Sequence, residues 1–73
     1  MPRCKFKCRS KTDFDDGFSN IHLEAVRDGS KENKTFFKDP SGFFDLQNVN
    51  QDIANQFNVG KEYFIDITPV EEV

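Results

Sequence analysis

The sequence predicts an all-β chain: a small five-stranded antiparallel barrel of the SH3-like or Sm-like kind, with one short helical turn before its last strand. Three observations lead there. Short segments alternate apolar and polar residues with a period of two. Gly, Pro, Asn and Asp separate them at close intervals. At 73 residues, no room is left for the crossover helices of a parallel sheet. A sheet this small buries its apolar face by curling on itself. The helical turn before strand five favours an SH3-like over an OB-type barrel.

Residues 4–11 form the first strand, with Cys4, Phe6, Cys8 and Ser10 on its core face and Lys5, Lys7, Arg9 and Lys11 on the other. The acids and Gly17 in residues 12–19 make a loop, pinned by Phe14 or Phe18. The second strand, residues 20–27, turns Ile21, Leu23 and Ala25 inward and His22, Glu24 and Val26 outward; residues 28–33 are a polar turn. Residues 34–38 and 42–47 pair as a hairpin through Asp39-Pro40-Ser41-Gly42, which has type I turn chemistry. That register sends Thr35, Phe37, Phe44 and Leu46 to the core. It leaves Phe36, Lys38, Phe43, Asp45 and Gln47 outside, with Phe36 and Phe43 diagonal neighbours.

Asn50 is expected to cap a helical turn presenting Ile53, Ala54 and Phe57 on one side, and Gly60 ends it. In the last strand Tyr63, Ile65 and Ile67 alternate with Glu62, Phe64, Asp66 and Thr68, up to Pro69. Only residues 1–3 and 71–73 are expected to be disordered.

Charge and cysteine usage narrow the function. The net charge is −3, yet Arg3, Lys5, Lys7, Arg9 and Lys11 stand in the first eleven residues without an acid, so the remainder carries −8. An acidic body repels nucleic acid, and only the first strand attracts phosphate. No apolar run approaches the roughly 20 residues of a membrane span, and the N-terminus lacks a signal-peptide core. An intracellular protein is expected, a compartment in which two free cysteines are stable.

Catalysis and metal binding find little to stand on. The lone His22 points away from both cysteines, so no nucleophile has a base beside it. Cys4 and Cys8 lie about 13 Å apart along an extended strand, too far to bridge or to share a zinc ion that also lacks further ligands. Asp13-Phe14-Asp15-Asp16-Gly17 resembles a calcium loop but has its Gly one residue early and no Glu at the twelfth position outside a strand. No enzyme activity, metal or cofactor is expected.

Nine of the residues are Phe. In the doublets Phe36-Phe37, Phe43-Phe44 and Tyr63-Phe64 only one ring of each can enter a small core. Phe36, Phe43 and Phe64 are left outside as candidate interface residues.

The order Pro40-Ser41-Gly42, Leu46, Ala54, Phe57, Gly60-Lys61, Tyr63, Asp66 and Thr68-Pro69 resembles the C-terminal part of a set of short, uncharacterised proteins of tailed bacteriophages and marine environmental sequences. The resemblance covers about the last 35 residues, and its motifs are structural. It implies a small SH3-like or Sm-like barrel from a virus or uncultured microbe, placed in a host cytoplasm or virion, and carries over no active-site residue. Together these readings predict a non-enzymatic assembly module, a homo-oligomer or the partner of another viral or host protein. It associates through exposed rings and an unpaired strand edge. The alternative is a single-stranded nucleic-acid binder, with Lys5, Lys7, Arg9 and Lys11 on phosphates and outward rings stacked on bases.

Overall fold

The computed structural model describes residues 2–71. In chain order the elements are β1 (Arg3–Asp13), β2 (Phe18–Ala25), α1 (Lys31–Phe36), β3 (Phe43–Asn50), α2 (Gln51–Ala54) and β4 (Glu62–Asp66). The strands form one antiparallel sheet in the order β3-β2-β1-β4. It is mostly β, as the alternation predicts, with a helical turn before the last strand.

The barrel is not formed. Four strands make an open sheet, because residues 34–38 do not extend into a strand. Ser30 caps a helix there instead: its Oγ accepts the N–H of Asn33 at 3.2 Å. Lys31, Glu32 and Lys34 favour a helix over the β preference of Thr35-Phe36-Phe37. The Asp39–Gly42 hairpin therefore does not exist, Thr35 is exposed on α1, and Phe36 and Phe43 are not cross-strand neighbours.

Five further expectations change in detail. The loop after β1 shrinks to residues 14–17, and Phe14 and Phe18 stay exposed rather than pinning it. Asn50 precedes α2 but makes no side-chain capping bond. Ile53 is 49% exposed while Ala54 beside it is fully buried. Ile67 lies beyond β4 and is exposed. Arg3, expected to be disordered, opens β1 opposite Asp66; Met1, Glu72 and Val73 lie outside the described residues.

The core follows the alternation. Cys4, Phe6 and Cys8 of β1 and Ile21, Leu23 and Ala25 of β2 are buried on one face, joined by Ala54. Phe37, Leu46, Val49, Phe57, Tyr63 and Ile65 pack around them half-buried. A bulge between Cys8 and Ser10 resets the pattern: Cys8 stands opposite Leu23, but Ser10 stands opposite His22 and Lys11 opposite Ile21. One extra residue thus moves Ser10 to the outer face and turns Lys11 inward, reversing both expected positions.

Candidate interaction surface

The outer face carries the charges, and it balances them. Arg3 forms a two-pronged pair with Asp66, at 2.6 and 3.0 Å. Arg9 Nε donates to Glu24 at 2.9 Å, and Lys5 Nζ lies 3.7 Å from Glu62. Lys7 sits between Glu24 of β2 and Glu62 of β4 in the ladders. Hydrogen bonding from the Arg3 guanidinium holds the Asp66 carboxyl below the usual carboxylate range and in turn raises Arg3.

The four cations of the nucleic-acid alternative therefore do not form one open strip. Lys5 and Arg9 are in ion pairs and Lys7 faces two carboxylates. Lys11 reaches the opposite face, where its Nζ donates to the carbonyls of Ala54 at 3.3 Å and Phe57 at 3.2 Å.

The three predicted interface rings do not converge. Phe43 is 62% and Phe64 51% exposed, but they sit on the two edge strands of the outer face, with β2 and β1 between them. Three interstrand steps separate them by on the order of 14 Å. Phe43 stacks on His22, centroids 5.0 Å apart, and Phe64 lies under Arg3 at 4.8 Å and Lys5 at 5.3 Å. Phe36 is on α1, beside a recess of about 720 Å³ also lined by Pro2, Arg3, Lys31, Glu32 and Thr35. All three rings are exposed as expected; their spacing is what the lost hairpin changes.

Sequence reading alone did not find a lateral row of Ser10, His22 and Asp45, brought onto three adjacent strands by the bulge. They share a recess of about 110 Å³ with Thr12, Asn20 and Gln47. His22 Nδ1 bonds the Asp45 carboxylate. However, the imidazole lies over Phe43 on the β3 side, and among the described residues no hydrogen bond joins it to Ser10. The base is not presented to the hydroxyl, so the row lacks the nucleophile–base contact that acyl transfer needs.

Burial pushes the Cys4 thiol up, away from thiolate chemistry. Among the described residues no cluster of three His, Cys, Asp or Glu side chains is arranged to hold a metal ion, and no helix is long and apolar enough to cross a membrane.

The inner face is different in kind. Between its edge strands lies an apolar groove of about 280 Å³, lined by Leu23, Phe44, Leu46, Phe57, Tyr63, Phe64 and Ile65. Phe44, expected in the core, meets Phe6 edge-on at 5.8 Å and remains 40% exposed. With residues 34–36 in α1, the ring has no partner strand on the far side of β3. Comparison with protein-family models, curated proteins and solved structures finds no match to this chain.

Proposed function

We propose that this chain is a non-enzymatic assembly module that associates with further copies of itself, as the small components of viral particles do. One observation carries the reading: the sheet is unfinished for a chain of this mass. The surface is 5628 Å², against about 4,700 Å² for a folded monomer of this mass. The segment past Asp66, where Val70 is 90% exposed, contributes to that excess. The radius of gyration, 13.7 Å, likewise exceeds the roughly 11 Å of a compact chain this long.

Two edge strands without an outer neighbour among the described residues add to this support, since an open edge accepts another chain's backbone. The nucleic-acid alternative draws less support, because the first strand's cations are occupied by neighbouring acids and carbonyls.

Sedimentation velocity on the purified chain tests the proposal. A dimer or larger species at tens of micromolar is expected, by the order of magnitude at which modest interfaces associate. A strict monomer across that range overturns it.

A further inference from the structure

Resting on the self-association reading above, this inference names the contact. We propose that two copies join edge to edge through β3, antiparallel across a two-fold axis at Phe44, so that two four-stranded sheets become one continuous sheet.

The ladders show which backbone groups are free. The Ala25 N–H donates to the Gly42 carbonyl at 3.0 Å, so hydrogen-bonded pairs recur at Leu23–Phe44 and Ile21–Leu46. Phe43 and Asp45, on either side of Phe44, therefore turn their N–H and C=O away from β2. On β4 the Cys8 N–H bonds the Lys61 carbonyl and the Ile67 N–H that of Pro2, which by the same alternation leaves Glu62, Phe64 and Asp66 facing outward. Among the described residues no hydrogen bond reaches either outward set.

The two open edges are not equally guarded. β4 has five residues, and two of them are the acids Glu62 and Asp66. Laid against its own copy around Phe64, it would set Glu62 opposite Asp66, like charge on like. β3 has eight residues, no Lys or Pro, and a single charged side chain, Asp45, which is already bonded to His22. Charge, Pro and shortness are what keep a free edge from pairing, and β3 has only that one acid. Its irregularity, at Asn48 with φ +56°, lies beyond the pairing residues.

Self-complementarity selects a second copy. With the axis at Phe44, Phe43 of each strand faces Asp45 of the other, and both pairs exchange N–H and C=O bonds. The two Asp45 carboxylates stay apart, whereas an axis at Asp45 would set them against each other. The Phe44 rings, each 40% exposed, meet at a non-hydrogen-bonded position, where facing side chains come closest. A two-fold closes the assembly with one kind of contact, and the sheet then ends on the acid-bearing β4 edges.

Proline makes a matched test, because it removes an outward N–H that the monomer does not use, and edge strands tolerate it there. By sedimentation velocity Asp45→Pro is expected to weaken dimerisation at least about 10-fold, the loss of one bond from each symmetric half. Asp45→Asn, which keeps the N–H, and Phe64→Pro, the same backbone change on the β4 edge, are expected to leave it nearly unchanged. If the wild type dimerises and Asp45→Pro leaves the dimer intact, or Phe64→Pro weakens it as much, the assignment to β3 is wrong and self-association stands. A wild type that stays monomeric overturns both.

Should Asp45→Pro fail to fold, amide hydrogen exchange of the wild type decides. Protection of the Phe43 and Asp45 amides that rises with protein concentration supports the β3 edge. Protection that rises at Phe64 and Asp66 instead, or at neither edge, overturns it.

Discussion

The two helices are each too short to stand alone, and each is tied to β1 by one polar side chain reaching backbone, but the two ties are built in opposite ways. On the α1 side the helix reaches for the strand. Asn33, fully buried, accepts the Lys5 N–H at 2.7 Å and donates to the carbonyls of Lys5 at 2.8 Å and Val26 at 2.7 Å. Where β2 ends at Ala25, this amide continues the ladder in place of a strand. On the α2 side the strand reaches for the helix, through the half-buried Lys11 and the carbonyls of Ala54 and Phe57. A neutral, enclosed tie and a charged, half-wetted one do the same mechanical task. Burial sets their worth, because water replaces a lost bond only where it can enter.

The largest expected effect is therefore at Asn33. Asn33→Ala leaves the Lys5 N–H and the Val26 carbonyl, on half-buried residues, without the partner that a fully buried side chain gave them, while Lys5 O keeps the Val26 N–H at 3.0 Å. A loss of about 3 kcal/mol in urea unfolding is expected, from ~1–3 kcal/mol per buried unsatisfied group. Asn33→Asp sharpens the point, since it keeps the acceptor for Lys5 N–H but turns an oxygen toward two carbonyls. It is expected to cost at least as much, and a loss below 1 kcal/mol for both variants would contradict the ladder role.

Lys11 comes next. Lys11→Met preserves the aliphatic stem against the sheet and removes only the ammonium. The Ala54 carbonyl keeps the Phe57 N–H at 3.0 Å, and the Phe57 carbonyl belongs to a half-buried residue beyond α2 that water can reach, so a loss of about 1 kcal/mol is expected by the same unfolding measurement. Equal losses at Lys11 and Asn33 would remove burial as the deciding variable.

The contrast also explains what the sequence made legible. The inward set Cys4, Phe6, Cys8, Ile21, Leu23 and Ala25 follows directly from side-chain alternation, because strand period is a local property. The turn before β4 was legible from Ala54, Phe57 and Gly60 for the same reason; Gly60, at φ +93°, has the left-handed backbone its position requires.

Lys11 and Ser10 were not legible. A bulge changes which face they occupy, and it is set by pairing with β2 rather than by residues 9–11 themselves. The α1 region misleads because two signals compete over few residues: a capped, helix-favouring Ser30-Lys31-Glu32-Asn33 and a β-favouring Thr35-Phe36-Phe37. The tertiary bonds of Asn33 favour the helix, and no local pattern records them. The error then passed to the site. The expected hairpin joins Phe36 to Phe43, whereas they stand on α1 and β3, and Phe44 on the other face of β3 is left 40% exposed.

The smallest effect belongs to the exposed end of the same series. Arg3 and Asp66 join the start of β1 to β4 with two short bonds, but both are in water, where screening and solvation cancel most of an ion pair's contribution. What remains carries a pH signature. Because Arg3 lowers the folded carboxyl below its unfolded value near 4, its contribution is complete above that value and is lost as pH falls through the lower folded one. Asp13, lowered by the hydroxyl of buried Ser19 at 2.5 Å, acts with the same sign. Thermal unfolding is thus expected to fall on the acid side of about pH 4, and Asp66→Asn to flatten that limb in part while leaving Asp13's share. The variant should change stability near neutrality less than Lys11→Met, and far less than Asn33→Ala. An acid limb identical in wild type and Asp66→Asn would show that the pair, for all its good geometry, does not hold the strands together.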